Sequence, residues 1–265
     1  LDDFIYYKSD YVFLTSAFTL WNILNVRSYP YKFSRLKNLY FDGSLLYEPL
    51  CNNYTSTIFD YKSFCDKYKI DKNKPIALFL PDRIEGESKF YPEIINAIKS
   101  NGYNLVLKLH PWEYKSIKHG FNTHYGNNLT SADKWGLTPI EEKDSTWAFQ
   151  FCHLAIVCGS TVGIEFPVWK KPVIIYRDEI ELKRYSEHWV DHILKSCSVK
   201  VKNILELNKC LSNDFNNFSN NDYLNAIDLI FPNGASSSFQ HHLDHVYSII
   251  NGSEKNIVIK NRKFI

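Results

Sequence analysis

Methionine is absent from all 265 residues, and the chain opens on Leu1-Asp2-Asp3, which predicts a fragment or a processed product. That opening lacks the basic-then-apolar pattern of a secretory signal peptide. No apolar run approaches the roughly 18 to 20 residues that a membrane span requires. A charge excess of one sign is missing too. Lys and Arg number 31 against 29 Asp and Glu, a net of +2, and they are scattered among one another. That excludes the concentrated basic face on which nucleic-acid binding depends. The chain has no P-loop, no GxGxxG fingerprint and no GxSxG nucleophile elbow. Its six cysteines (Cys51, Cys65, Cys152, Cys158, Cys197 and Cys210) form no CxxC pair and no zinc-like spacing. Free thiols in a reducing compartment are the expectation.

What is present is the composition of a globular protein, 45% hydrophobic and 23% charged, long enough for one large domain or two small ones. The 16% of aromatic residues, together with abundant Asn and Lys, fits an AT-rich coding bias. After Pro75 the pattern becomes regular. Ile76-Ala77-Leu78-Phe79-Leu80, Leu105 to Leu109, Leu154 to Cys158 and Val173 to Tyr176 are continuous apolar runs of strand length, as buried parallel strands require. Between them, Tyr91 to Lys99 has helical spacing and stops at Asn101-Gly102. Asp144-Ser145 can cap a helix through Phe149, and Gly159-Ser160-Thr161 opens one that ends near Lys171-Pro172. Strands alternating with helices predict an α/β fold with a doubly wound parallel sheet. From Asn203 onward the chain reads as helices and loops, with an amphipathic helix over Phe239 to Ile250.

Two strand ends carry chemistry. Lys108-Leu109-His110-Pro111 closes the second strand, and in open α/β sheets ligands bind beyond the carboxyl ends of strands. A histidine there can donate to a phosphate oxygen or protonate a leaving phosphate, while the proline fixes the backbone around it. The competing role for His110 is a bond to backbone at the strand's end. Gly159-Ser160-Thr161-Val162-Gly163-Ile164-Glu165 lies between a buried strand and a helix. Leading amides, two hydroxyls and a small glycine make an anion site, which the helix dipole favours further. The competing role for Ser160 and Thr161 is simple helix capping. Glu165, one turn in, can reach a ribose hydroxyl or stand in solvent.

These motifs resemble the C-terminal domain of bacterial surface-polysaccharide enzymes of GT-B fold. That group comprises the Kdo transferases, sialyltransferases and polysialyltransferases, and the CDP-glycerol glycerophosphotransferases. The resemblance covers Pro75 to Tyr176, with His110-Pro111 as the HP motif and Ser160-Thr161 as the ST motif. Gly159 to Glu165 followed by Trp169-Lys170-Lys171-Pro172-Val173 is similar to the run GSTxGxE…GKPV, with Lys170-Lys171 where a glycine is usual. It implies a Rossmann-like donor-binding domain over 46–240, preceded by the end of another domain (1–45) and followed by a helix and tail (241–265). It also implies a metal-independent glycosyltransferase, needing no cofactor, that uses a CMP-activated sugar of Kdo or sialic-acid type and a glycan acceptor. A CDP-alditol phosphotransferase, a UDP-sugar 2-epimerase and a non-catalytic nucleotide- or glycan-binding module are the alternatives.

The implied donor-binding residues are Lys108, His110, Pro111, Lys143, Asp144, Ser145, Gly159, Ser160, Thr161, Gly163 and Glu165, with His110 catalytic. The resemblance sets Glu142 to Ser145 beside the nucleotide base. The expected location is the cytoplasm, at the inner face of the membrane. Outside these motifs, Asp82 to Glu87 reads as a solvated turn or a source of cleft carboxylates. The His241, His242 and His245 group lacks the further ligands of a zinc site. Trp112, Tyr114 and Trp147 suit core packing or stacking on a base or sugar.

Overall fold

The computed structural model describes residues 12–14, 39–41, 61–81, 90–109, 136–177, 189–212, 218–230 and 238–251. They fall into two compact units, Thr55–Leu224 as one and Leu1–Tyr54 with Asn225–Ile265 as the other. In the smaller unit, β1 (Val12–Leu14) and β2 (Leu39–Phe41) pair in parallel, Val12 opposite Leu39.

The larger unit begins with α1 (Tyr61–Tyr68), β3 (Ile76–Leu80), α2 (Tyr91–Ser100) and β4 (Asn104–Leu107). There follow α3 (Ser145–Phe151), β5 (Leu154–Val157), a long 3-10 helix (Thr161–Trp169) and β6 (Val173–Tyr176). The sheet closes through α4 (Trp189–Ile193) into β7 (Ser198–Val201), and α5 (Ile204–Ser212) follows. Helix α6 (Asn220–Ile230) runs across the division between the units, and α7 (Ser238–Ile250) belongs to the smaller one.

Strands β3 to β7 form one fully parallel sheet in the order β4-β3-β5-β6-β7. The apolar runs are continuous because both faces are covered: every residue of β3, β5 and β6 is buried. On one face α2 and α5 pack over Ala77, Phe79, Ile156, Ile174 and Val201. The other face carries α1, α3 and the 3-10 helix, joined by aromatic contacts such as Phe64 with Phe151 and Phe149 with Phe166. Each large side chain so buried contributes roughly 1.5 to 3 kcal/mol. The expected α/β doubly wound sheet is therefore the one observed.

Three local features differ from the sequence reading. The segment Thr161–Trp169 is a 3-10 rather than an α-helix. Pro167 within it has no N–H to give to a carbonyl four residues back. It ends at Lys170 in the left-handed conformation, φ 53°, which accounts for the glycine usual at this point. Second, β7 was not anticipated, because Ser198, Val199 and Lys200 on this edge strand are not fully buried and break the apolar run. Third, Asp144 stands at the N-cap of α3 without capping it. Its carboxylate turns instead to α1, as described below.

The amino edge of the sheet contains a pH-sensitive joint. The Ile76 N–H donates to Nδ1 of His153 at 2.9 Å, and the His153 N–H donates back to the Ile76 carbonyl at 2.8 Å. Burial, and then the charge of Lys171, lowers the His153 pKa below its usual 6.5. The folded state thus favours the neutral ring, whose lone pair accepts the bond. This stability is present above the unfolded value and is lost as pH falls below it and through the lowered folded value. We expect the melting temperature to fall between pH 7.5 and pH 5. His153→Asn, which keeps an acceptor but cannot titrate, should flatten that slope in a thermal melt series; an unchanged slope would remove His153 from the explanation.

Candidate functional site

The strand order locates the site before any side chain is considered. From β3 the chain moves outward to β4, then crosses back over β3 to β5 and continues to β6 and β7. The winding direction reverses between β3 and β5, and ligands of such sheets bind in the crevice outside the carboxyl ends at that point. Beyond β5 stand Cys158, Gly159 and Ser160; beyond β4, one strand to the other side of β3, stand Lys108 and Leu109. Two strand spacings separate these ends, about 10 Å.

The turn after β5 is shaped by glycine. Gly159 has φ 107°, a conformation that side chains with a Cβ rarely adopt. Ser160 follows in extended conformation, φ −66° and ψ 128°, at the N-cap of the 3-10 helix, and its hydroxyl caps no helix amide. The capping role is thus not the one Ser160 plays. The first intrahelical bond, from Gly163 N–H to the Ser160 carbonyl, is 3.2 Å, so the amides of Thr161 and Val162 precede it. Leading amides of this kind favour an anion.

At Gly163 the helix lies too close to β5 for a side chain. A Cβ there would lie 3.1 Å and 3.3 Å from the two γ-carbons of Val157 and 3.4 Å from Cδ1 of Leu194. Val157 and Leu194 are fully buried and have no room to yield. Gly163→Ala should therefore destabilise the unit by about 1 to 3 kcal/mol in chemical denaturation. A neutral or stabilising result would mean that the helix is free to lift.

Lys108 is 7% exposed, and its ammonium donates to the Leu109 carbonyl at 3.4 Å. His110 and Pro111 lie outside the described residues, as do Trp112, Tyr114 and Asp82 to Glu87. Pro139 bridges to Leu107 and the Ile140 N–H donates to the Leu107 carbonyl at 2.9 Å, so the chain re-enters beside β4 before reaching Lys143 to Ser145. Lys143 is exposed and pairs with Glu141 at 2.9 Å. Asp144 and Ser145 are buried. Glu165, on the 3-10 helix, is half-buried. The structure describes only the backbone of Thr161.

Asp144 is the centre of a polar lock with α1. Its carboxylate accepts from the Lys67 ammonium and the Tyr68 hydroxyl, each at 2.5 Å. Tyr68 accepts in turn from the Glu141 N–H at 3.0 Å, and Lys67 also pairs with Glu141 at 2.8 Å. Burial and then the bond to Asp144 push the Tyr68 phenol up to about 12. Lys67, and after it Lys143, hold the Glu141 carboxyl down at about 2. Nothing in the local sequence announces this lock, since its two halves are 76 and 77 residues apart. Trp147 stacks on Phe151 at 6.1 Å with an interplanar angle of 17°, the packing role of its two readings.

Solved structures share this architecture. MnaA of S. aureus, in a UDP co-structure, superimposes at TM-score 0.55 with 14% identity, over 93% of this chain and 61% of that one. The wall teichoic acid polymerase TagF gives 0.54 and 14%, over 93% and 59%. UDP-GlcNAc 2-epimerase from Neisseria meningitidis, bound to UDP-GlcNAc, gives 0.54 and 14%, over 91% and 62%. These are GT-B proteins. The fold is of GT-B type. The chain spans about three fifths of the length of each, and at such identity the likeness is one of fold. No protein-family model matches the sequence, nor does any curated protein.

Among the described residues no group of three His, Cys, Asp or Glu side chains is placed to hold a metal ion. His242 is half-buried on α7, while the side chains of His241 and His245 lie outside those described. Cys65, Cys152, Cys158 and Cys197 are buried and Cys210 is half-buried. Burial pushes the thiols of Cys152 and Cys197 up to about 12, far from a reactive thiolate. No helix among the described residues is long and apolar enough to cross a membrane.

Proposed function

We propose that this chain carries the donor-binding half of a glycosyltransferase that builds a surface polysaccharide from a nucleotide-activated sugar. One observation carries the reading. The sheet's reversal point coincides with the Gly159–Ser160 turn, where a left-handed glycine, an uncapping serine and the leading amides of a helix converge. That is a seat for a phosphate, and the developing charge of a leaving phosphate is what such preorganised donors stabilise.

In the reaction, the bond from the sugar's anomeric carbon to the phosphate oxygen breaks and its electron pair leaves with the phosphate. An acceptor hydroxyl of the glycan forms the new bond and gives up its proton to a base that the resemblance places in the other GT-B half. His110 protonates the departing phosphate or donates a hydrogen bond to it. Lys108, Thr161 and Glu165 complete the donor side, with no metal or cofactor required.

A CMP-linked sugar of Kdo or sialic-acid type is the donor that the motif resemblance favours. CDP-alditol transfer and UDP-sugar 2-epimerisation use the same seat, and TagF and the 2-epimerase among the structural neighbours keep both in view. The proposed setting is the cytoplasmic face of the membrane. A thermal-shift panel of CMP, CDP, UMP, UDP and GDP tests the reading. Stabilisation by a cytidine nucleotide is expected, and a UDP preference would move the function toward epimerisation. No shift with any of the five would defeat the proposal.

A further inference from the structure

We propose that Arg177 is a further phosphate-recognising residue of this seat, a fixed positive charge set beside it by β6; this rests on the donor-binding reading above. The register pairs Val157 with Ile175, and Gly159 and Arg177 each follow that pair by two residues, just beyond the ends of adjacent strands. β5 and β6 lie one strand spacing apart, roughly 4.8 Å, at that last pair, so Arg177 leaves the sheet beside the strand end that leads into the seat.

The side chain lies on the relevant face. Tyr176 and Cys158 belong to the core under α2 and α5, so by alternation Arg177 points the other way, toward the face covered by the 3-10 helix and α4. It is held there. Its Nη2 donates to the Asp191 carboxylate of α4 at 3.0 Å and its Nη1 to the Tyr176 carbonyl at 3.5 Å, leaving it 3% exposed. Asp191 also pairs with Lys200 of β7 at 2.5 Å, so one carboxylate is divided between two cations. Helix α4 packs on the 3-10 helix, which ties this group to the element whose amides face the seat.

Taking a guanidinium and a carboxylate out of water is costly, and apolar residues usually serve a fold as well. The start of the 3-10 helix already presents the positive ends of its amides, so a neighbouring cation makes physical sense where an anion is received. Lys108, buried at the end of β4, stands on the far side of the same crevice. The crevice ends of β3 and β5 are thus bracketed by a buried cation on each flanking strand.

The test uses isothermal titration of wild type, Arg177→Gln, Arg177→Lys and Asp191→Asn with CDP, CMP and cytidine, and with UDP, UMP and uridine. Arg177→Gln should weaken the phosphorylated ligands by roughly 10-fold or more and the nucleosides less than about 2-fold. Arg177→Lys, which keeps the charge, should recover most of the loss. Asp191→Asn, which removes the competing carboxylate, should bind the nucleotides as tightly as wild type or tighter. A pair that merely supports the fold would show both neutral variants weakened alike, with nucleosides affected as much as nucleotides. That pattern, or an Arg177→Gln variant indistinguishable from wild type, overturns the inference while the donor-binding reading stands. A wild-type protein that binds none of these nucleotides defeats the reading and the inference together.

Discussion

Ser160→Ala should cost CMP binding about 1.5 to 3 kcal/mol, the scale of a hydrogen bond to a charged group and a loss of roughly 10- to 150-fold in affinity. The expectation follows from what the hydroxyl does not do. It stands at the N-cap of the 3-10 helix yet caps no amide, so its removal leaves the helix start as it was. The fold should hold and the ligand should leave. Cytidine, which has no phosphate, should bind weakly to both proteins and scarcely distinguish them. His110→Ala should repeat the pattern if the imidazole shares the same phosphate, while His242→Ala on α7 should leave binding intact. Calorimetric titration of CMP and cytidine against each variant decides the matter. Equal losses for the two ligands would show that Ser160 and His110 support the fold instead of the phosphate.

Asp144→Ala should lower the stability of the larger unit by about 1 to 3 kcal/mol in chemical denaturation. The carboxylate is buried and takes both the Lys67 ammonium and the Tyr68 hydroxyl. Removing it takes the acceptor from the half-buried Tyr68 hydroxyl and a buried carboxylate from Lys67, whose pair with the exposed Glu141 stays. Asp144→Asn keeps the shape and an acceptor for Tyr68, and should lose about half as much. Tyr68→Phe, combined with Asp144→Ala, should cost less than the two changes summed, because the pair acts as one unit. Strict additivity would mean that the two groups do not depend on each other. A fall in nucleotide affinity larger than the change in stability explains would instead support the donor-side role proposed for this segment.

The contrast between these two positions shows what the sequence could and could not reveal. Strands β3, β5 and β6 were legible because both of their faces are covered, which forces continuous apolar runs. Strand β7 was not, because an edge strand with an exposed Lys200 has no such constraint. The turn after β5 was legible because its geometry is local: a glycine, a serine and a helix start follow one another in seven residues. The Asp144 lock was hidden because its partners come from a helix two strands earlier in the chain. Arg177 was passed over although it follows its apolar strand as Lys108 follows β4. A basic residue directly after a buried strand occurs in both places, but only the pairing register shows that β6, which Arg177 follows, is the neighbour of β5.

The 3-10 form of Thr161–Trp169 has a mechanical consequence. At about 2.0 Å of rise per residue its nine residues extend roughly 18 Å, against about 13.5 Å for the same residues wound as an α-helix. Shortening into the α form would draw the Ser160 turn back from the crevice by several ångströms. Pro167, which has no N–H to give to a carbonyl four residues back, opposes that shortening near one end. The 3-10 form therefore sets the distance between the Ser160 turn and Lys170, as a strut of set length.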